Sequence, residues 1–187
     1  MSSYEYREPR GVDRISWERF ETLTRDLATQ IAPWGVELIL GIARGGLFPA
    51  TLLSYAMRRE LYPIRLTRRF EDQVVRRTPT WLVRPPDKVR NRHVLIVDEM
   101  ADSGQTLLAA AEVVRQMGAS DVRTAALYAH SWAMPRPDYV GLISDALIVN
   151  PWDREILQDG TFVQRPEYTE AIRAQQQDDP TPTSPQP

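Results

Sequence analysis

Hydrophobic positions along the chain follow two alternating periods. From Trp17 to Ile31 the apolar residues Phe20, Leu23, Leu27 and Ile31 return with helical spacing, and Ser16 stands where a cap belongs, so a helix is predicted there. The run Glu37–Ile42 (ELILGI) is short and apolar, as a strand covered on both faces is, and Gly45 and Gly46 break it. A helix from about Leu47 to Arg59 and a strand over Leu61–Leu66 follow. His93–Asp98 (HVLIVD) carries the strongest strand signal, rich in β-branched side chains. From about Thr106 to Met117, Leu107, Ala110, Ala111, Val114 and Met117 form one helical stripe, which Gly118 ends as a C′ residue. Val122–Ala129 and Asp145–Asn150 read as two more strands. Strands alternating with helices predict an α/β fold, a doubly wound, mostly parallel sheet with helices on both faces. Ligands in such sheets bind at the carboxyl ends of the strands, where each motif below falls.

The ends of the chain break this rhythm. Residues 1–14 read as a loose lead-in, 15–176 as one domain and 177–187 as a disordered tail. The last ten residues, DDPTPTSPQP, hold four of the fifteen prolines and almost no apolar side chain, too little burial to offset their ordering entropy. No window approaches the roughly 18 apolar residues of a membrane span, and the polar start lacks the apolar core of a signal peptide. A cytoplasmic location is the expectation.

Charge and composition narrow the chemistry. A net charge of −2 disfavours a generally basic nucleic-acid binder. The absence of cysteine removes disulfides, thiolate metal sites and cysteine nucleophiles. With two histidines, His93 and His130, any metal would have to be a hard ion on oxygen ligands. There is one lysine, Lys88, against 22 arginines. Eleven of the cations lie between Arg58 and Arg92 against four acids, and residues 68–92 suit a mobile lid over an anionic ligand. Within 68–92 only Phe70 and Trp81 interleave the cations, too few for a nucleic-acid stacking platform.

The most informative stretch is Val94–Leu107, VLIVDEMADSGQTL. An apolar strand delivers the adjacent acids Asp98 and Glu99. After two further residues, Asp102, Ser103, Gly104, Gln105 and Thr106 form a turn into a helix. Backbone N–H groups of such a turn, with the helix dipole behind them, bind a phosphate. Two acids beside a phosphate cradle suit sugar hydroxyls or a magnesium ion. No GK[ST] and no G-x-G-x-x-G occurs, so neither a P-loop nor a dinucleotide fingerprint is present.

This string resembles the phosphoribosyl-pyrophosphate (PRPP) signature of type I phosphoribosyltransferases. Gly41–Ala50 (GIARGGLFPA) resembles their pyrophosphate loop. Pro137–Asp153 (PDYVGLISDALIVNPWD) is similar to the C-terminal segment of their bacterial and archaeal xanthine/guanine/hypoxanthine members. The resemblance implies the type I fold with a small hood and a mobile lid loop. It implies transfer of ribose 5-phosphate from PRPP to a nucleobase, with Mg2+ and release of pyrophosphate. By that match Asp98 and Glu99 hold the ribose hydroxyls with magnesium close by, and Asp102, Ser103, Gly104, Gln105 and Thr106 hold the 5′-phosphate. Asp102 also serves as general base, and Asp153 lies near the metal. Ala43, Arg44 and Gly45 wrap the pyrophosphate, helped by Arg68 and Arg69. The peptide before Arg44 is often cis in the family. Homodimers and homotetramers are both common there, and the chain carries no clear signal for either.

Two positions depart from the pattern. His130 stands where 6-oxopurine enzymes place a lysine, and Leu147 where they place a stacking aromatic, for which Trp132 or Trp152 is a substitute from elsewhere in the chain; Ile148 keeps backbone groups for the base edge. A purine-type acceptor is the first expectation. A phosphoribosyltransferase with a non-purine acceptor and a non-catalytic PRPP-sensing regulator stay open beside it.

Overall fold

The computed structural model describes residues 11–67, 69–70, 73–74 and 80–177, with side chains over 11–66 and 80–173. In chain order the elements are β1 (Val12–Arg14), α1 (Trp17–Ile31), β2 (Leu38–Ile42), α2 (Leu47–Met57), β3 (Glu60–Thr67), β4 (Arg69–Phe70), β5 (Gln73–Val74) and β6 (Thr80–Val83). There follow β7 (His93–Ala101), α3 (Gln105–Gln116), β8 (Asp121–Ala129), β9 (Tyr139–Ile143), β10 (Leu147–Val149), β11 (Glu155–Gln158), β12 (Thr161–Gln164) and α4 (Pro166–Gln177). The chain divides into two compact units, residues 18–144 and residues 1–17 with 145–187. Residues 15–176, read as one domain, span parts of both units.

The larger unit is built on a six-stranded sheet in the order β6-β3-β2-β7-β8-β9. All its pairings are parallel except β6 on β3, at the edge. All five β2 residues are buried, which is why the strand shows no polar alternation. Leu38, Leu40 and Ile42 join the core cluster with the α3 stripe Leu107, Ala110, Ala111 and Val114. On the opposite face α2 lies close enough that a Cβ at Gly41 would stand 2.8 Å from Leu47 Cδ2 and 2.9 Å from Ala50 Cβ. In α1, Leu23 is only half-buried, and Thr24 takes the buried position between Phe20 and Leu27, its hydroxyl donating to Phe20 O at 2.8 Å.

The structure also revises three segments. β9 has no counterpart among the predicted strands; a Cβ at its central Gly141 would sit 2.7 Å from Leu127 O, so glycine lets this half-exposed strand lie against β8. The lid read over 68–92 is part of the core from Thr80 on. Trp81 packs on the core cluster, Val89 is fully buried, and Glu60 pairs with Lys88 at 3.1 Å and Arg92 at 3.5 Å. The lead-in read over 1–14 contains a strand, β1.

In the smaller unit β1 pairs in parallel with β10, so the predicted strand near Asp145–Asn150 forms but stands outside the main sheet. Leu147 and Val149 pack with Tyr168 of α4 in a cluster of their own. The tail, beyond Gln177, lies outside the described residues. Leu147 is 2% exposed, so an indole there overfills the cluster. Leu147→Trp should cost about 1–3 kcal/mol, read as a lower denaturant midpoint.

Candidate active site

Two turns leave the carboxyl ends of the neighbouring strands β2 and β7. The first, Ala43–Gly46, leaves β2 and enters α2. Its Ala43–Arg44 peptide is cis, as the family resemblance implied. Ala43 N–H donates to Ile64 O at 2.8 Å, which holds the turn against β3. A Cβ at Gly46 would lie 2.7 Å from Ile42 O, 2.8 Å from Val97 O and 2.8 Å from Asp98 Cα. A Cβ at Gly45 would overlap the Glu99 carboxylate and come 2.7 Å from its Cδ. Two glycines thus let the start of α2 close onto the acids of β7.

β7 runs to Ala101, past the predicted end at Asp98, so the two acids sit inside a paired strand. Adjacent strand residues face opposite ways. Asp98 Oδ1 accepts the Glu99 backbone N–H at 2.8 Å. Although part of its surface remains open, dense packing around Asp98 pushes its carboxyl up to about 7, opposed by that N–H.

The second turn, Asp102–Gly104, leads into α3. Gly104 takes the left-handed conformation (φ 74°) at the N-cap, and a Cβ there would overlap Pro135 O. No side chain caps α3, and its first backbone hydrogen bond is Leu108 N–H to Gly104 O at 3.1 Å. The N–H groups ahead of Leu108 are therefore not consumed within the helix, and the helix dipole favours an anion at this end. Asp102 and Ser103 are exposed.

A third segment, His130–Pro135 after β8, is latched onto this turn. His130 N–H donates to Ala101 O at 3.2 Å and Met134 N–H to Ser103 O at 3.3 Å, while Gln105 Nε2 donates to Met134 O at 2.9 Å. The Gln105 side chain is thus a latch, leaving its backbone for a phosphate. Trp132 Nε1 donates to Asp102 Oδ1 at 3.4 Å, and its ring stacks on His130 with centroids 4.3 Å apart. His130 Nδ1 lies 2.8 Å from Ser144 O. A carbonyl only accepts, so Nδ1 carries the proton, and a neutral His130 ring has its lone pair on Nε2. Sequence reasoning singled out His130 and offered Trp132 or Trp152 as a substitute aromatic, but it did not pair Trp132 with Asp102, because that contact spans thirty residues without local signature.

Asp98, Glu99, Ala43, Arg44, Gly45 and the 102–106 turn therefore gather within the larger unit. Leu147, Ile148 and Asp153 belong to the smaller one, where all three are at least partly buried. Asp153 Oδ2 pairs with Arg165 Nη1 at 3.2 Å, and burial raises its carboxyl against the pull of Tyr168 and Arg165. Trp152 lies beside Trp17 with centroids 5.9 Å apart. Arg69 lies in β4, and Arg68 falls outside the described residues. Among the described residues no three acids or histidines gather as a metal cage. Asp98 and Glu99, adjacent on β7, carry carboxylate oxygens of the kind a hard ion such as magnesium takes when phosphate oxygens complete its shell.

The phosphoribosyl transferase domain model matches residues 6–158. The chain belongs to the phosphoribosyltransferase family. The fold is that of the type I enzymes, and the chain's structural neighbours include purine phosphoribosyltransferases. The purine phosphoribosyltransferase of Pyrococcus horikoshii is 27% identical with a TM-score of 0.68, covering 75% of this chain and 93% of that one. The Helicobacter pylori xanthine-guanine-hypoxanthine phosphoribosyltransferase is 22% identical with a TM-score of 0.64, covering 75% and 91%. The Trypanosoma cruzi hypoxanthine phosphoribosyltransferase, a point mutant complexed with the product IMP, is 19% identical with a TM-score of 0.59, covering 82% and 91%. The last two likenesses concern the fold alone. A search of the curated proteins finds no match. Among the described residues no helix is long and apolar enough to cross a membrane.

The two glycines of the first turn should respond differently to substitution. Gly46→Ala meets backbone and should cost about 1–3 kcal/mol in thermal unfolding. Gly45→Ala meets the end of a flexible side chain and should displace the Glu99 carboxylate at less than about 1 kcal/mol. Asp98 adds a pH signature. Its folded pKa of about 7 lies above its ordinary value of 3.8, so its contribution to stability is fully present below about 4 and is lost as pH rises to about 7. Asp98→Asn, which does not titrate, should therefore gain stability relative to the parent over that window, read by urea denaturation without added magnesium.

Proposed function

We propose that this phosphoribosyltransferase moves ribose 5-phosphate from PRPP to a ring nitrogen of a purine-type base and releases pyrophosphate, with magnesium. One observation carries the reading. The acids of β7, the uncapped start of α3 and the Arg44–Gly45 turn converge at the carboxyl ends of neighbouring parallel strands. That arrangement suits a ligand with a phosphate at one end, a diol in the middle and a diphosphate at the other.

In this reading the amides and hydroxyls of Asp102–Thr106 hold the 5′-phosphate, and Asp98 and Glu99 hold the ribose hydroxyls. Ala43, Arg44 and Gly45 wrap the diphosphate, with Arg68 and Arg69 as further cations from the next segment. Asp98 and Glu99 would hold magnesium, which would neutralise charge on the leaving diphosphate; Asp153, which the resemblance put near the metal, belongs to the smaller unit. The anomeric C–O bond to pyrophosphate breaks as the C–N bond to the base forms. Asp102 takes the proton from the attacking nitrogen, and its charge favours the cation-like sugar.

The acceptor side supports a second reading. His130, with Nδ1 donating to Ser144 O, stands where 6-oxopurine enzymes place a lysine and cannot supply that residue's ammonium donors. Leu147 is taken up in the apolar cluster of the smaller unit. An acceptor other than a 6-oxopurine is therefore the second reading.

Purified protein with PRPP and magnesium, offered a panel of nucleobases, is the decisive assay. Pyrophosphate and a purine nucleoside monophosphate are expected. A nucleotide from another heterocycle selects the second reading. PRPP binding without pyrophosphate from any base would leave a sensing regulator and overturn the transfer reading. Where turnover is found, Asp102→Asn should lower kcat by roughly 10²–10⁴-fold while PRPP affinity changes little, as loss of a general base does. Equal loss of both would contradict that role.

A further inference from the structure

We propose that Trp132 is the acceptor-side residue of this site: its indole N–H positions the Asp102 carboxylate, and its ring covers the heterocycle that Asp102 deprotonates. The inference rests on the transfer reading above and adds to it a residue outside its three motif blocks.

Three independent features place Trp132 there. Its Nε1–H donates to Asp102 Oδ1, and among the described residues Asp102 takes no other hydrogen bond, so Oδ2 remains for the proton of the attacking nitrogen. The 3.4 Å separation is long, as such contacts often are before the reactants are bound. The indole is stacked on His130 with an interplanar angle of 19°, and the His130 ring is anchored in turn through Nδ1 on Ser144 O. Trp132 is nonetheless 47% exposed, so much of an aromatic surface is held open beside a carboxylate. Its segment is also fixed to the phosphate turn at both ends, by His130 N–H on Ala101 O and by the Gln105 and Ser103 bonds to Met134. Pro135 O meanwhile occupies the space a side chain at 104 would need. The indole thus moves with the turn that carries Asp102.

A planar ring seated against Trp132 gains stacking from a side chain already ordered, with little entropy left to lose. An aromatic surface is thereby restored from the segment after β8, while Leu147 lies within the apolar cluster of the smaller unit. The ligand class is a flat, aromatic nitrogen heterocycle with a removable N–H proton.

Two substitutions separate the roles. Trp132→Phe keeps an aromatic face and loses the N–H; kcat should fall roughly five- to tenfold, with KM for the base and Kd for PRPP nearly unchanged. Trp132→Leu loses both, and KM for the base should rise a further roughly 3- to 10-fold. In an Asp102→Asn background Trp132→Phe should add almost nothing to the loss in kcat, because the two act as one unit. A direct readout needs no turnover. The indole N–H resonance of Trp132 in the ¹⁵N-labelled chain, identified by its loss in Trp132→Phe, should move upfield in Asp102→Asn.

Three results overturn the proposal while the transfer reading stands: a resonance that stays put, a Trp132→Phe change that costs as much kcat in the Asp102→Asn background as in the parent, or a Trp132→Leu variant with unchanged KM. A wild-type chain that binds PRPP yet releases no pyrophosphate overturns the transfer reading itself, and the role of Trp132 with it.

Discussion

The geometry of the site depends on how closely one helix start can approach one strand. α2 enters beside the end of β7 with no room for a methyl group at either Gly45 or Gly46. At Gly46 the obstructing atoms are backbone on both sides, so the spacing cannot relax by turning a side chain. At Gly45 the neighbour is the Glu99 carboxylate, so the same closeness brings a charged group to the lip of the Arg44 turn. The parallel pairing of β2 and β7 sets the register of that meeting.

Electrostatics follow from this closeness. Asp98 is crowded by chain and so resists ionising, whereas the uncapped start of α3 carries N–H groups that favour negative charge. The reluctant carboxylate of Asp98 and an anion-attracting turn on the same strand-to-helix segment form a site whose charge is completed by its ligands. Asp153 shows the other solution, a partly buried carboxylate neutralised within the chain by Arg165.

Much of this was legible from residue order. Val94–Leu107 announces itself because a buried strand, two acids and a glycine turn are contiguous, and local chemistry alone specifies each. The β2 strand and the α3 stripe were readable from periodicity. β9 was not, since Gly141 interrupts its apolar run and its value lies in contact with Leu127 O. The separate pairing of β10 with β1 was hidden as well, because a three-residue strand carries no mark of its partner. The contact of Trp132 with Asp102 depends on three hydrogen bonds that latch two distant turns, and no spacing rule encodes it.

The latch has an evolutionary side. Strand ends and helix starts that cradle the donor are tied to the packing of the main sheet, so they resist change. The connection from His130 to Pro135 hangs on backbone groups and one glutamine amide, which are indifferent to most side chains along it. Divergence can therefore rewrite residues there while the donor apparatus is inherited whole, so descendants of one ancestor can part company over their acceptors without refounding the scaffold.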